Sequence, residues 1–140
     1  MHRKLVSAIK DNMEILFTNG GIMLETCDLD FILCDFPVWK HVYHMFHSCD
    51  QWIINPKHYT EPDFHEPNMN SLNIMTEKVL TRGDLTRYLK GVKIKVMNYL
   101  DGLTDEMLYE MPQNCPENRL SLILMQIRHF YRSLTAEASI

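Results

Sequence analysis

The chain has 140 residues, with 46% hydrophobic and 23% charged, which bounds it to one globular domain, residues 1–140, long enough to bury a real core. Its net charge is −4 and its lysines and arginines are scattered singly or in pairs, so no basic stripe exists to track a phosphate backbone and nucleic-acid binding is not expected. No apolar run approaches the roughly 18 residues of a bilayer span, no secretory apolar segment follows MHRK, and Cys27, Cys34, Cys49 and Cys115 show no metal-type spacing, so a cytoplasmic protein with free thiols and no membrane association is expected.

Helix one is expected from about residue 2 to residue 17, with Leu5, Ile9, Met13, Leu16 and Phe17 as its buried stripe. Gly20 and Gly21 are read as its stop, because paired glycines suit a left-handed cap. Residues 22–36 are apolar without clean period and read as a loop or an extra helical turn. Asp35 and Pro37 then mark the start of helix two, which runs to about Ile54 before Asn55-Pro56 ends it. Val38, Val42, Met45, Phe46, Cys49 and Ile53 form its stripe, and it carries three of the seven histidines, His41, His44 and His47. At about 100° per residue, His44 falls on the edge of that stripe, His41 one turn earlier on the same edge, and His47 toward the far side.

A long polar connection follows from Lys57 to about Leu80, with His58 and His65 in it. Connections of this length inside one domain are functional or crossover segments. Helix three has the strongest start signal: Thr81 and Asp84 space as a capping box, and Leu80 and Leu85 as a hydrophobic staple. Leu85, Leu89, Val92, Val96 and Tyr99 make its core face, and Asp101-Gly102 ends it. Residues 104–111 suggest a short helix capped by Thr104. Helix four is expected to begin at Asn114, with Glu117 as reciprocal partner and Pro116 in the first turn. Leu120, Ile123, Leu124, Ile127, Phe130, Tyr131 and Leu134 give it a wide apolar face that also carries His129. Four helices with one long crossover between the second and third describe an all-α four-helix bundle.

In order and spacing, HVYHMFHSCDQWIINP, YTEPDFHE, LTRGDLTRYL, LDGLTDEML and LMQIRHFYRSL resemble the DinB-like superfamily, which includes YfiT-type proteins. The resemblance covers residues 36–134. It implies an up-down-down-up bundle, often a homodimer, in which many members hold nickel, zinc or iron through one histidine of helix two and two of the last helix at HxxxH spacing. Carried over, the first two positions fall on His44 and His129, and the third falls on Ser133. Metal-dependent thiol transferases using bacillithiol-like thiols and a mycothiol-dependent isomerase belong to the superfamily, so the resemblance implies a divalent-metal-dependent transferase or hydrolase with an incomplete histidine triad and a small-molecule thiol as substrate.

Neutral imidazole suits zinc, nickel and ferrous iron, and a catalytic site needs three protein ligands with a position left open. The candidates for the third ligand are His41, His47 and His65, with His58 and Asp50 behind them. Gln126, one turn before His129, is placed to orient it through a hydrogen bond, and Arg132 to hold an anionic substrate group. Cys49 is a conceivable nucleophile, and Trp39, Tyr43 and Trp52 could line a pocket mouth. The opposing reading is a non-catalytic dimeric bundle that binds a small ligand or a protein partner, in which His44 and His129 are hydrogen-bonded core residues.

Overall fold

The computed structural model describes residues 2–138, with side chains through residue 135. Its elements are α1 (Lys4–Thr26), a hairpin of β1 (Ile32–Leu33) and β2 (Phe36–Pro37), α2 (Val38–Trp52), α3 (Arg82–Asp101), a 3₁₀ turn (Glu106–Tyr109) and α4 (Arg119–Ala138). The fold is all-α but for that two-residue antiparallel ladder, in which Ile32 faces Pro37 and Leu33 faces Phe36. Both α1 and α2 pack against α3 and α4. They enclose one core, which includes Met13, Leu16, Val42, Phe46, Leu85 and Phe130. Among the described residues no helix is long and apolar enough to cross a membrane.

Several element ends differ from the sequence reading, each for a local reason. The helix α1 runs straight through Gly20-Gly21 to Thr26. Gly20 is there for close approach and not for a cap: a Cβ at this position would lie 2.9 Å from Cζ of Phe130 on α4. Residues 31–37 form a hairpin because Cys34 and Asp35 take left-handed φ of 48° and 74°, the signature of a two-residue turn with both central residues at positive φ. Asp35 therefore lies outside α2, and Pro37 is its N-cap without a side-chain hydrogen bond. The first free amides of α2 go instead to the preceding segment, Val38 N–H donating to Phe31 O and Trp39 N–H to Leu29 O.

The start of α4 also moves. Asn114 has φ 61° and sits in a turn. The helix starts at Arg119, where Asn118 Oδ1 accepts from Ser121 N–H at 2.7 Å, the bond an Asn cap makes to the third helical amide. Leu124, expected in the apolar face, is 53% exposed, while Leu122 and Gln126 are buried in that face. The 3₁₀ turn has no side-chain cap from Thr104. Around α3 the reading holds: Thr81 Oγ1 accepts from Asp84 N–H at 3.1 Å and Asp84 Oδ2 from Thr81 N–H at 2.8 Å.

Two long-range polar clasps fix the ends of the helices. Asp105, 100 and 99 residues from its partners, accepts from Leu5 N–H at 3.1 Å and Val6 N–H at 2.9 Å, so it caps α1 from another part of the chain. Arg82 donates to the carbonyls of Leu24 and Cys27 at the other end of α1. The connection between α2 and α3 is held in the same manner. The buried Lys40 ammonium donates to the carbonyls of Asn68, Met69 and Ser71, and His44 takes the carbonyl of Asn70 between them.

Candidate metal centre

His44 on α2 and His129 on α4 meet across the seam of these helices, ring centroids 5.6 Å apart and planes at 67°. His44 Nδ1 lies 2.7 Å from Asn70 O. A carbonyl can only accept, so Nδ1 carries a proton, and in the neutral tautomer that this fixes the lone pair sits on Nε2. Among the described residues, His129 Nε2 is buried with no hydrogen-bond partner. Burial first, then the neighbouring His44 and Arg132, hold the His129 imidazole below its ordinary pKa, so it is neutral at pH 7. The pair thus sets a neutral His129 imidazole against a His44 ring whose Nδ1 is already engaged. His129 opens on a cleft of about 320 Å³ lined by Ser48, Trp52, Met125, Gln126, Arg128 and Arg132. Ser133 lies one turn beyond His129, half-buried.

A second constellation sits about one turn further along α2, where the long connection packs against it. His47 Nε2 lies 2.6 Å from Glu61 Oε1, and His65 Nε2 lies 2.7 Å from Glu61 Oε2. The two imidazoles stack at 4.9 Å with an interplanar angle of 22°. One ligand atom from each of the three residues falls within 4.8 Å of the others, so the group could hold a metal ion. Tyr43 Oη lies 2.6 Å from His65 Nδ1. Burial, only partly opposed by the Glu61 charge, lowers the His65 pKa, with His47 adding to the shift. Pro62 O accepts from His65 N–H at 2.9 Å, a turn that folds Glu61 and His65 to the same side of the connection.

Beside it, Asp50 Oδ2 accepts from the hydroxyls of Tyr59 and Tyr88, each at 2.8 Å, and Oδ1 from Lys95 Nζ at 2.7 Å. Burial and the Asp50 charge raise the pKa of both tyrosines, which stay protonated. A larger, mainly apolar cavity of about 490 Å³ opens here, lined by Asp50, Phe64, Lys78, Leu80, Tyr88 and Val92 among others.

The remaining sequence candidates are placed as follows. His41 Nε2 lies 2.6 Å from Leu33 O, tying α2 to the hairpin. His47, read as displaced from the core, is only 2% exposed, because the long connection folds back over that side of the helix. His65 is half-buried beside it rather than free loop surface, and His58 is exposed, paired with Asn114 Nδ2. Among the described residues, none of His41, His47, His65, His58 or Asp50 joins His44 and His129 in a three-ligand group. Gln126 Oε1 accepts from Ser48 Oγ at 3.1 Å, and Arg132 is exposed at the cleft. The Cys49 thiol is buried, and that burial with Asp50 nearby pushes its pKa up to about 12, so it stays a protonated packing residue. Trp39 and Tyr43 are buried; Trp52 alone of the three aromatics lines the cleft.

Glu61 is the functional candidate the sequence reading missed. The available signal was its spacing four residues before His65 within a proline-bounded turn. Comparison with protein-family models, with curated proteins and with solved structures finds no match.

Proposed function

We propose that this chain is a DinB-like, up-down-down-up helical bundle that acts as a divalent-metal-dependent enzyme on a small thiol, with nickel, zinc or iron held between α2 and α4 by His44 and His129. The observation that carries the reading is the buried Nε2 of His129, left without a partner beside the His44 ring at 5.6 Å. An orphaned buried polar atom costs free energy, and an ion shared with His44 Nε2 would satisfy it. The donor set fits a borderline divalent ion.

The ion would lower the pKa of a thiol or water bound to it. The remaining work falls to the protein. Asn70 O fixes the His44 tautomer that leaves Nε2 free. Arg132 and Arg128 place two cations at the cleft for a carboxylate of the thiol substrate, and Trp52 supplies an apolar wall. Ser48, held by Gln126, is a hydroxyl at the same cleft that can hydrogen-bond substrate. Ser133 stands where the resemblance implies a third histidine, so the site has two protein ligands, one short of the usual catalytic set, and substrate or water would have to fill the remaining positions.

The test is metal analysis of tag-free protein together with thermal unfolding in the presence of nickel or zinc. Bound metal that falls by one ion per chain in the His44→Ala, His129→Ala double variant supports the reading. Metal-free protein with unchanged thermal stability in excess metal supports instead a non-catalytic, dimeric bundle.

A further inference from the structure

The structure assigns a second divalent-metal site to His47, Glu61 and His65, separate from His44 and His129, in which the ion ties the connection between α2 and α3 to helix α2. The three side chains already converge: both imidazole Nε2 atoms lie within 2.7 Å of the one Glu61 carboxylate. Two nitrogens and one carboxylate oxygen form a three-ligand set of the zinc class, with a fourth position left for water. Ligand atoms around a zinc ion stand about 2.0–2.2 Å from it, so Glu61 must swing outward slightly for the ion to enter. It is free to do so, because its side chain is 45% exposed while those of His47 and His65 are 3% and 9% exposed. Two held imidazoles and one mobile carboxylate give a formed cradle with an entry path.

The outer partner is present as well. A metal-bound histidine usually donates its other ring N–H to a fixed acceptor. For His65 that acceptor is the fully buried Tyr43 hydroxyl, 2.6 Å from Nδ1. A hydroxyl both donates and accepts, so Tyr43 satisfies Nδ1 in either tautomer: donating to it in the metal-free protein, accepting from it once Nε2 binds the ion. The stack of the two rings holds both in register. Glu61 and His65 belong to the long connection and His47 to α2, so one ion cross-links a segment without regular secondary structure to the helix that carries His44.

Zinc alone is the probe. Tag-free protein carrying His44→Ala and His129→Ala is stripped with chelator and titrated with zinc by calorimetry. One zinc per chain is expected, with a rise in thermal stability. Adding His65→Asn abolishes binding, and Tyr43→Phe weakens it by about 10- to 100-fold. Cobalt in place of zinc gives the intense visible bands of a four-coordinate ion. Should the buried His47→Ala variant fail to fold, Glu61→Gln and His65→Asn carry the test, since both lie on the connection. Failure of zinc to bind the His44→Ala, His129→Ala protein, or equal binding after His65→Asn, overturns the assignment and leaves a hydrogen-bonded staple. Because the other histidine pair is removed at the outset, this failure is distinct from failure of the proposed function.

Discussion

The imidazole of His129 meets that of His44 near edge to face, ring centroids 5.6 Å apart, with its own Nε2 buried and unpartnered. Every histidine of α2 has its imidazole engaged: His41 by Leu33 O, His44 by Asn70 O and His47 by Glu61. The contrast singles out His129 as chemically unfinished, and the loop that engages its neighbour His44 is held by side chains of α2.

That loop gives the first prediction. Lys40 is fully buried and its ammonium donates to three carbonyls of the 68–71 segment. Lys40→Met keeps the volume but leaves buried acceptors unsatisfied, at a cost of about 1–3 kcal/mol. Hydrogen exchange should quicken at residues 68–71 first, and His44 should lose its fixed tautomer as Asn70 O drifts.

The two adjacent glycines of α1 should respond oppositely to alanine. At Gly21 nothing lies within 4 Å of an added Cβ, so Gly21→Ala should stabilise by about 0.5–1 kcal/mol. At Gly20 the same change drives into the Phe130 ring. Overpacking costs about 1–3 kcal/mol, so Gly20→Ala should be destabilising on balance. Urea denaturation of the two variants checks the sign of each.

Acid should remove the Asp105 clasp. Desolvation pushes this carboxyl up, but the Val6 and Leu5 amides with the His2 and Arg3 charges outweigh it, so its pKa falls below the ordinary 3.8. A carboxyl depressed in the folded state contributes stability above its unfolded pKa and loses it as pH falls through the folded value. Asp105→Asn should therefore destabilise at pH 7, and the gap to wild type should close at pH values below the depressed pKa.

The buried histidines act in the same sense, over a higher pH range. Burial holds His129 and His65 below their ordinary 6.5, so the unfolded chain takes up protons before the folded one does. Stability should be full above about pH 6.5 and decline as pH falls below it. Metal affinity between α2 and α4 should weaken over the same range, because protons compete for the His129 lone pair. Denaturation midpoints at pH 7.5 and 5.5 test this, with His129→Gln flattening part of the slope.

Much of the fold was legible because period and cap chemistry are local. The stripe of α2 from Val38 to Ile53 is buried throughout, and the Thr81–Asp84 box forms as its spacing implies. Where the reading failed, the cause was tertiary. Gly20 resembles a stop only until Phe130 is seen against it. Asn114 resembles a cap, but it takes a left-handed turn and hands that role to Asn118. At the site, helical spacing put His44 on the edge of its apolar stripe and His129 in an apolar helix, and the resemblance paired them. It could not place Glu61 or His65, whose positions depend on how an irregular connection folds over α2, and for the same reason it left His47 looking exposed.

The most direct test of the central claim is thermal unfolding of tag-free protein carrying His65→Asn, which removes the second cluster, titrated with nickel and paired with elemental analysis. A ligand at a hundredfold its Kd adds about 2.7 kcal/mol, so the melting temperature should climb by several degrees with close to one ion per chain, and His44→Ala with His129→Ala should abolish both. An unchanged melting temperature and no retained ion would contradict a metal between those two histidines.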